Sequence, residues 1–113
     1  MRRAVLAVVP ACLLTLPVVL LSMAEPDVER GRAEFARQCR MCHGADGKGN
    51  PAMARMLKVE FKAMDSEYVQ KKRDEELRNI ILRGTGKMVA VRGMNDQQVA
   101  DVIAYVRSLA KED

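Results

Sequence analysis

The stretch Cys39-Arg40-Met41-Cys42-His43 carries the strongest chemical signal in the sequence. Two residues between the cysteines let their sulfur atoms reach the two vinyl groups along one edge of a porphyrin. A histidine directly after the second cysteine can then present a ring nitrogen to the iron. This Cys-X-X-Cys-His pattern is the one that attaches c-type haem. We therefore predict one covalently bound haem c, held by Cys39 and Cys42, with His43 as an iron ligand.

Two other interpretations of the cysteine pair are weaker. A thiol–disulfide redox site usually begins a helix in a βαβ setting, and no strand pattern precedes Cys39. A structural zinc site needs four ligands. His43 is the only histidine of the chain, and the one further cysteine, Cys12, lies in the N-terminal apolar segment. Zinc would therefore have to recruit a carboxylate, which leaves haem attachment as the favoured interpretation.

The single histidine also limits the choice of the sixth iron ligand. Ligation by two histidines within one monomer is excluded, so we expect a methionine sulfur. Met88 ends a glycine-rich loop over residues 84–88, between two helical patterns, and such a loop can bend the side chain onto a haem face. We predict Met88 as the ligand. Met94 is the alternative, although an apolar residue just before a helix cap also staples the helix start. Another ligand or an open site is the remaining possibility.

The N-terminal segment has the pattern of an export signal. A positively charged start is followed by an apolar run over residues 4–21 and by small residues before Glu25, and all 15 acidic residues of the chain lie beyond that boundary. We predict that residues 1–24 are a signal peptide and that residues 25–113 form the domain. Because the segment is just long enough to span a bilayer, a retained membrane anchor is the alternative. Both place the domain in the periplasm.

The composition of the domain favours a bound cofactor. A chain of about 90 residues buries only roughly 60–65% of its unfolded surface, and this one has two Phe, two Tyr and no Trp. A large apolar cofactor would supply the missing core. Two of the 19 basic residues lie in the N-terminal segment, which leaves the domain close to balance with its 15 acidic residues. We expect no nucleic-acid binding, which would require a clear basic excess, and we expect a monomer.

Helical periodicity dominates the domain, and no run of useful length alternates with the period of a strand. The first predicted helix covers residues 27–42, with Asp27 as its cap and with Val28, Gly31 and Phe35 on its apolar face. A glycine inside a helix costs about 1 kcal/mol relative to alanine. We therefore expect Gly31 to permit a close crossing with another helix.

Three more helices are predicted further along the chain. One is short, over residues 52–58, and one covers residues 74–84 with its cap at the first of them, while residues 61–73 are predicted to be irregular. The last helix begins at Asn95, which forms a capping box with Gln98. Its apolar stripe contains Val99, Val102, Ile103, Val106 and Leu109.

The sequence resembles the class I cytochromes c, the small monohaem electron carriers, over nearly all of the domain. The resemblance rests on Phe35 four residues before the attachment motif, on the motif and the run after it (residues 39–51), on residues 86–88 and on residues 105–109. It implies an all-α, small cytochrome c fold in which three to five helices pack around one covalently bound haem. The first and last helices of that family cross at right angles, which would bring Gly31 and Phe35 against Val102 and Tyr105.

Two details of the family concern the iron ligands. The backbone carbonyl of Pro51 is expected to accept the proton of the second ring nitrogen of His43, which would fix the imidazole. Where the family often has proline directly after its axial methionine, this chain has Val89. That difference should leave the loop of Met88 less constrained.

The predicted ligation favours electron transfer over catalysis. A methionine sulfur favours ferrous iron and raises the reduction potential, and two filled axial positions leave no site for a substrate. We predict a periplasmic one-electron carrier that is not an enzyme and whose partners are redox proteins. Arg40, Lys48 and Lys87 fall near the predicted haem edge and could meet an acidic partner, although scattered surface charge is the simpler explanation.

Two other functions share the same haem chemistry. The chain could be a haem subunit of a periplasmic dehydrogenase or oxidase, which would differ only in its partner. It could also be a gas-binding haem protein with an open sixth site. Five-coordinate proteins of that kind tend to carry the attachment motif near the C-terminus, whereas here the motif begins at Cys39.

Overall fold

A computed structural model describes residues 17, 20 and 22–110 of the chain. Most of the predicted N-terminal signal or anchor segment lies outside these residues. Among the described residues no helix has the length and apolar character needed to cross a membrane.

The described part of the chain folds into α-helices, with one isolated β-bridge. The predicted all-α class is therefore confirmed. The described residues form six helices rather than three to five, because two of the helices are only four residues long. The helices are α1 (Val28–Gln38), α2 (Arg40–His43), α3 (Pro51–Leu57), α4 (Glu67–Gln70), α5 (Asp74–Arg83) and α6 (Asp96–Ser108).

The contact between α1 and α6 forms the centre of the fold. Gly31 is buried at this contact, and a Cβ atom on it would lie 1.8 Å from the backbone oxygen of Asp101 and 3.0 Å from the Cβ of Tyr105. One turn further on, the ring of Phe35 meets the ring of Tyr105 edge-on, with 5.3 Å between the centroids. The predicted role of Gly31 is confirmed: only a residue without a side chain lets the two helices approach this closely.

The buried core follows the predicted stripe of α6. Four of its five predicted residues are buried. The fifth, Leu109, is partly buried and packs against them. The prediction that Val28 lies on the buried face of α1 is wrong, because Val28 is 39% exposed. Glu34, which was not predicted to be buried, is only 8% exposed. The buried apolar residues are Phe35, Val69, Leu77, Val99, Val102, Ile103, Tyr105 and Val106.

Caps define the helix ends largely as predicted. The carboxylate of Asp27 accepts the N–H of Arg30 at 2.7 Å and starts α1. Asn95 and Gln98 form the predicted capping box of α6, with each side chain accepting the backbone N–H of the other at 2.8 and 2.9 Å. The predicted helix over residues 27–42 is interrupted at Cys39, because the φ of that residue, −117°, lies outside the helical range.

The segment between α3 and α5 is more regular than predicted. Residues 61–73 contain α4, a single turn that Ser66 caps and whose Val69 is buried. Helix α5 begins at Asp74 itself, and Arg73 rather than Asp74 is its cap; the N–H of Arg73 donates to the carboxylate of Glu76 at 2.8 Å. A four-residue helix is too short to produce a periodic pattern in the sequence.

Arg107 ties this segment to α6. Its guanidinium donates to the carboxylate of Asp74 at 2.8 and 3.0 Å, to the backbone oxygen of Gln70 at 2.8 Å and to the backbone oxygen of Lys72. The amide of Gln70 in turn donates to the backbone oxygens of Met64 at 2.7 Å and of Val106 at 2.9 Å. Polar side chains therefore fix the α4–α5 connection on the last helix.

Asp101 is a buried carboxylate that joins the two central helices. It is 2% exposed. Its oxygens accept the N–H of Asp27 at 2.8 Å, the Nε of Arg30 at 2.8 Å and the amide of Gln97 at 3.1 Å. The hydrogen bond from Arg30, supported by the one from Asp27, lowers the pKa of Asp101 to about 2 although burial opposes the shift.

We expect this carboxylate to make the fold sensitive to acid. A folded pKa below the unfolded value of about 3.9 gives a stabilisation that is present above the unfolded pKa and is lost as the pH falls through the folded pKa. The contribution of Asp101 to the free energy of unfolding should therefore fall by about 2 kcal/mol between roughly pH 5 and pH 2. Urea unfolding of the holoprotein across this range should show this fall in the wild type and a flatter dependence in Asp101→Asn.

Asp96→Asn is the matched control for that measurement. It makes the same change on the same helix, but the Asp96 side chain is 69% exposed and pairs with Arg78 at the surface, where ion pairs contribute little. Its stability should keep the wild-type dependence on pH. An Asp101→Asn protein with the same acid sensitivity as the wild type would contradict the assignment.

Candidate haem-binding site

The attachment residues follow α1 directly. Cys39 closes α1 by donating its N–H to the backbone oxygen of Phe35 at 2.9 Å, and the single turn of α2 then carries Cys42 and His43. Gly44 ends this turn with a φ of 78°, a left-handed value that favours glycine. Both cysteines are half-buried free thiols. The local fold thus places two thiols and one imidazole on a five-residue segment.

The thiol chemistry of Cys39 differs from that of a redox-active cysteine pair. Burial, followed by the charge of Glu34, raises the pKa of the Cys39 thiol to about 11. Reactive cysteines of thiol–disulfide sites instead have lowered pKa values, because the thiolate is the nucleophile. This environment disfavours the thiol–disulfide interpretation.

Two aromatic rings flank the imidazole of His43. The ring centroid of Phe35 lies 6.3 Å away and that of Phe61 lies 5.5 Å away. Burial lowers the pKa of His43, which favours the neutral imidazole that binds metals. Phe61 was not predicted to take part. No motif of the sequence marks Phe61. In the structure Gly49 makes room for its ring, because a Cβ atom on Gly49 would lie 2.7 Å from the Cβ of Phe61.

The hydrogen bond expected at the second nitrogen of His43 is not formed. Within the described residues Nδ1 of His43 is buried without a hydrogen-bond partner. Pro51 is the first residue of α3, and a carbonyl in that position accepts the N–H four residues further along the helix. The loop is held instead by backbone bonds from Gly49 to the oxygen of His43 at 2.7 Å and from Asn50 to the oxygen of Cys42 at 2.9 Å.

Met88 lies in a tight backbone turn. Thr85 and Met88 exchange two N–H···O bonds, at 3.0 and 2.9 Å, and Gly86 between them has a φ of 54°. The ammonium of Lys87 donates to the backbone oxygen of Leu57 at 2.6 Å. The side chain of Val89, which replaces the proline of the family, is 81% exposed. These hydrogen bonds give the Met88 loop a defined backbone path.

Four other methionines of the domain occupy environments that differ from that of Met88, whereas Met53 on α3 is half-buried as Met88 is. Met94 is partly buried and packs against the core, as expected for a residue that staples the start of α6, and Met64 packs there as well. Met41 and Met56 are 74% and 67% exposed. Met88 is half-buried and, within the described residues, is not part of the packing around the core. This environment leaves its sulfur available for another contact.

The residues present fit a covalently bound haem. Two thiols and one neutral imidazole are the groups that c-type attachment requires, and a porphyrin needs an apolar surrounding. Several apolar side chains of the middle of the chain are only half-buried, so that a large apolar group would complete their burial; they include Met53, Leu57, Val59, Phe61, Ile80, Met88 and Val91. In the described part of the chain no cluster of three or more His, Cys, Asp or Glu side chains is placed to hold a bare metal ion.

Comparisons with known proteins agree with this chemistry. The family model of cytochrome c matches residues 28–110. The fold is similar to the solved structure of the KustC0563 c-type cytochrome, with a TM-score of 0.60 and 24% sequence identity over 72% of this chain and 98% of that chain. A search of curated proteins finds no match. Since the family model covers nearly the whole described domain, the chain belongs to the cytochrome c family, whose members bind a c-type haem covalently and transfer electrons.

Proposed function

We propose that this protein is a periplasmic one-electron carrier in which His43 and Met88 are the axial ligands of the haem iron. The observation that carries the ligand assignment is the turn Thr85–Met88, which holds a half-buried methionine in a fixed loop. Members of the cytochrome c family are generally electron carriers rather than enzymes. The export signal predicted over residues 1–24 supports the periplasmic location.

The residues of the chain have separate tasks in this proposal. Bound haem c supplies an iron couple that takes up and releases one electron. Cys39 and Cys42 hold the group by thioether bonds, and His43, between its two aromatic neighbours, is the nitrogen ligand. Met88 supplies a soft sulfur ligand that raises the reduction potential. With His43 and Met88 bound to the iron, no position would remain there for a substrate, which favours electron transfer over catalysis.

The charge distribution supports an acidic redox partner. Over residues 38–59 and 77–95, which contain the attachment loop and the Met88 loop, the only acidic residue is Asp46. Complementary charge of this kind steers association and orients the docked proteins. The basic residues of the two segments are Arg40, Lys48, Arg55, Lys58, Arg78, Arg83, Lys87 and Arg92.

Replacing Met88 with Ala tests the ligand assignment. The oxidised wild-type protein should show the weak absorption band near the infrared edge that arises from methionine sulfur bound to ferric haem, and Met88→Ala should abolish it. The reduction potential should fall by at least about 59 mV, which is a tenfold shift of the one-electron redox equilibrium. The reason is that water in the vacated position stabilises ferric iron better than a thioether does. The variant should also bind carbon monoxide.

Met94→Leu is the matched control, because Met94 needs only an apolar side chain at the start of α6. It should keep the band and the potential. Loss of the band in Met94→Leu, with Met88→Ala unaffected, would move the ligand to Met94. A wild-type protein that lacks the band and binds carbon monoxide readily would contradict the electron-carrier proposal and favour a gas-binding protein.

A further inference from the structure

Glu34 is a buried carboxylate whose hydrogen bonds are incomplete. It lies on α1 and is 8% exposed. Its Oε1 accepts hydrogen bonds from the guanidinium of Arg37 and from the amide of Gln98 at 2.8 Å. Its Oε2 is buried and has no hydrogen-bond partner within the described residues. A buried polar atom without a partner costs free energy, so a role outside the stability of the helix pair has to be considered.

The carboxylate lies close to the site of haem attachment. Its charge is, after burial, the largest cause of the raised pKa of the Cys39 thiol, and this thiol is where the haem would be bonded. The next residue on α1, Phe35, packs 6.3 Å from the ring of His43. A haem attached to Cys39 therefore has the Glu34 carboxylate in its electrostatic environment.

The counter-charge of Glu34 is screened more strongly than Glu34 itself. The side chain of Arg37 is 63% exposed, whereas that of Glu34 is 10% exposed. Water and salt weaken the field of an exposed charge, while a buried charge acts through a medium of lower effective dielectric constant. Gln98, which faces the carboxylate from α6, is neutral, and the charged residues of that helix near its start, Asp96 and Asp101, are engaged with Arg78 and Arg30. Glu34 thus contributes a negative field at the attachment site that its exposed partner Arg37 cancels only in part.

We propose that the buried carboxylate of Glu34 tunes the haem, holding its reduction potential below the value that the axial ligands alone would give. Oxidation removes one electron to the partner protein and adds one positive charge to the iron, with no bond formed or broken. A nearby negative charge stabilises that added charge and therefore favours the ferric state. This inference rests on the proposed electron-carrier function.

Redox titration of the holoproteins at pH 7 tests the role of Glu34. Glu34→Gln keeps the size of the side chain and removes the charge. The reduction potential of this variant should therefore rise by about 59 mV, which is a tenfold shift of the one-electron redox equilibrium. Arg37→Gln removes the compensating cation and should lower the potential. Glu29→Gln, the same neutralisation at an exposed position of the same helix, should leave the potential nearly unchanged.

The methionine band recorded on each variant separates tuning from damage to the site. A potential for Glu34→Gln that matches that of Glu29→Gln, or a rise accompanied by loss of the band, would contradict the proposal. If Glu34→Gln gives no folded holoprotein, Arg37→Gln is compared with Arg32→Gln, the same neutralisation at an exposed position of α1: a fall confined to Arg37→Gln supports tuning by Glu34, and equal changes in the two variants contradict it. A wild-type protein without a reversible one-electron couple would instead contradict the electron-carrier function.

Discussion

Replacing both Cys39 and Cys42 with Ser is expected to eliminate the folded holoprotein. The two thiols are the only groups of the described domain that can form thioether bonds to haem, and serine cannot replace them. Few apolar side chains are fully buried without the cofactor, and a cofactor that binds only the folded state stabilises it by mass action. The haem-free chain should therefore be largely unfolded, and circular dichroism should show little helix and no cooperative thermal transition.

Extraction with acid and acetone measures the attachment itself. Haem should stay with the wild-type chain and leave the double variant, while each single Ser variant should keep one thioether bond or none. Met41→Ser is the matched control, because Met41 lies in the same loop and is 74% exposed; it should retain the haem. A double variant that kept its haem through extraction would show that the attachment residues are wrong.

Gly31→Ala should be the most destabilising single methyl addition in the helices. In an ordinary helix this change stabilises by about 1 kcal/mol. Here the added Cβ would lie 1.8 Å from the backbone oxygen of Asp101. This clash can be relieved only if the backbones of α1 and α6 move apart. Overpacking typically costs about 1–3 kcal/mol and occasionally more. The close approach to backbone here places Gly31→Ala at the upper end of that range, a large part of the roughly 5–15 kcal/mol that stabilises a typical domain.

Urea unfolding of the holoproteins measures this effect, and Ala33→Gly provides the control. Ala33 is an exposed residue of the same helix, so its replacement should cost only the helix propensity, about 1 kcal/mol. If Gly31→Ala were as stable as the wild type, the helices would not meet as closely as described.

The features that could be predicted from the sequence are those with a local signature. The attachment motif, the cap at Asp27 and the capping box of Asn95 and Gln98 each depend on residues a few positions apart. The role of Gly31 could be predicted because a glycine inside a helix is less stable than an alanine there, and a close helix crossing explains why it is present. The cofactor could be predicted because the Cys-X-X-Cys-His motif is the one that attaches c-type haem.

The features that could not be predicted depend on partners far along the chain. Glu34 and Asp101 are acidic residues on amphipathic helices, and such residues are usually exposed. Only the fold shows that Gln98 donates to the first and that Arg30 and the N–H of Asp27 donate to the second. The unpartnered nitrogen of His43 likewise depends on where α3 begins, which no motif specifies.

The pairing of α1 with α6 has a consequence for the order in which the molecule is made. The bond from the N–H of Asp27 to Asp101 joins residues 74 positions apart, so the central contact closes a loop that contains nearly the whole domain. Closing such a loop is entropically costly, and during synthesis it must wait until the last helix has left the ribosome. Until then Gly31 and Phe35 have no partner to pack against. Cys39 and Cys42 are therefore accessible on an open chain before the central contact closes, and because the haem-free chain is expected to be largely unfolded, the thioether bonds can form before the domain folds.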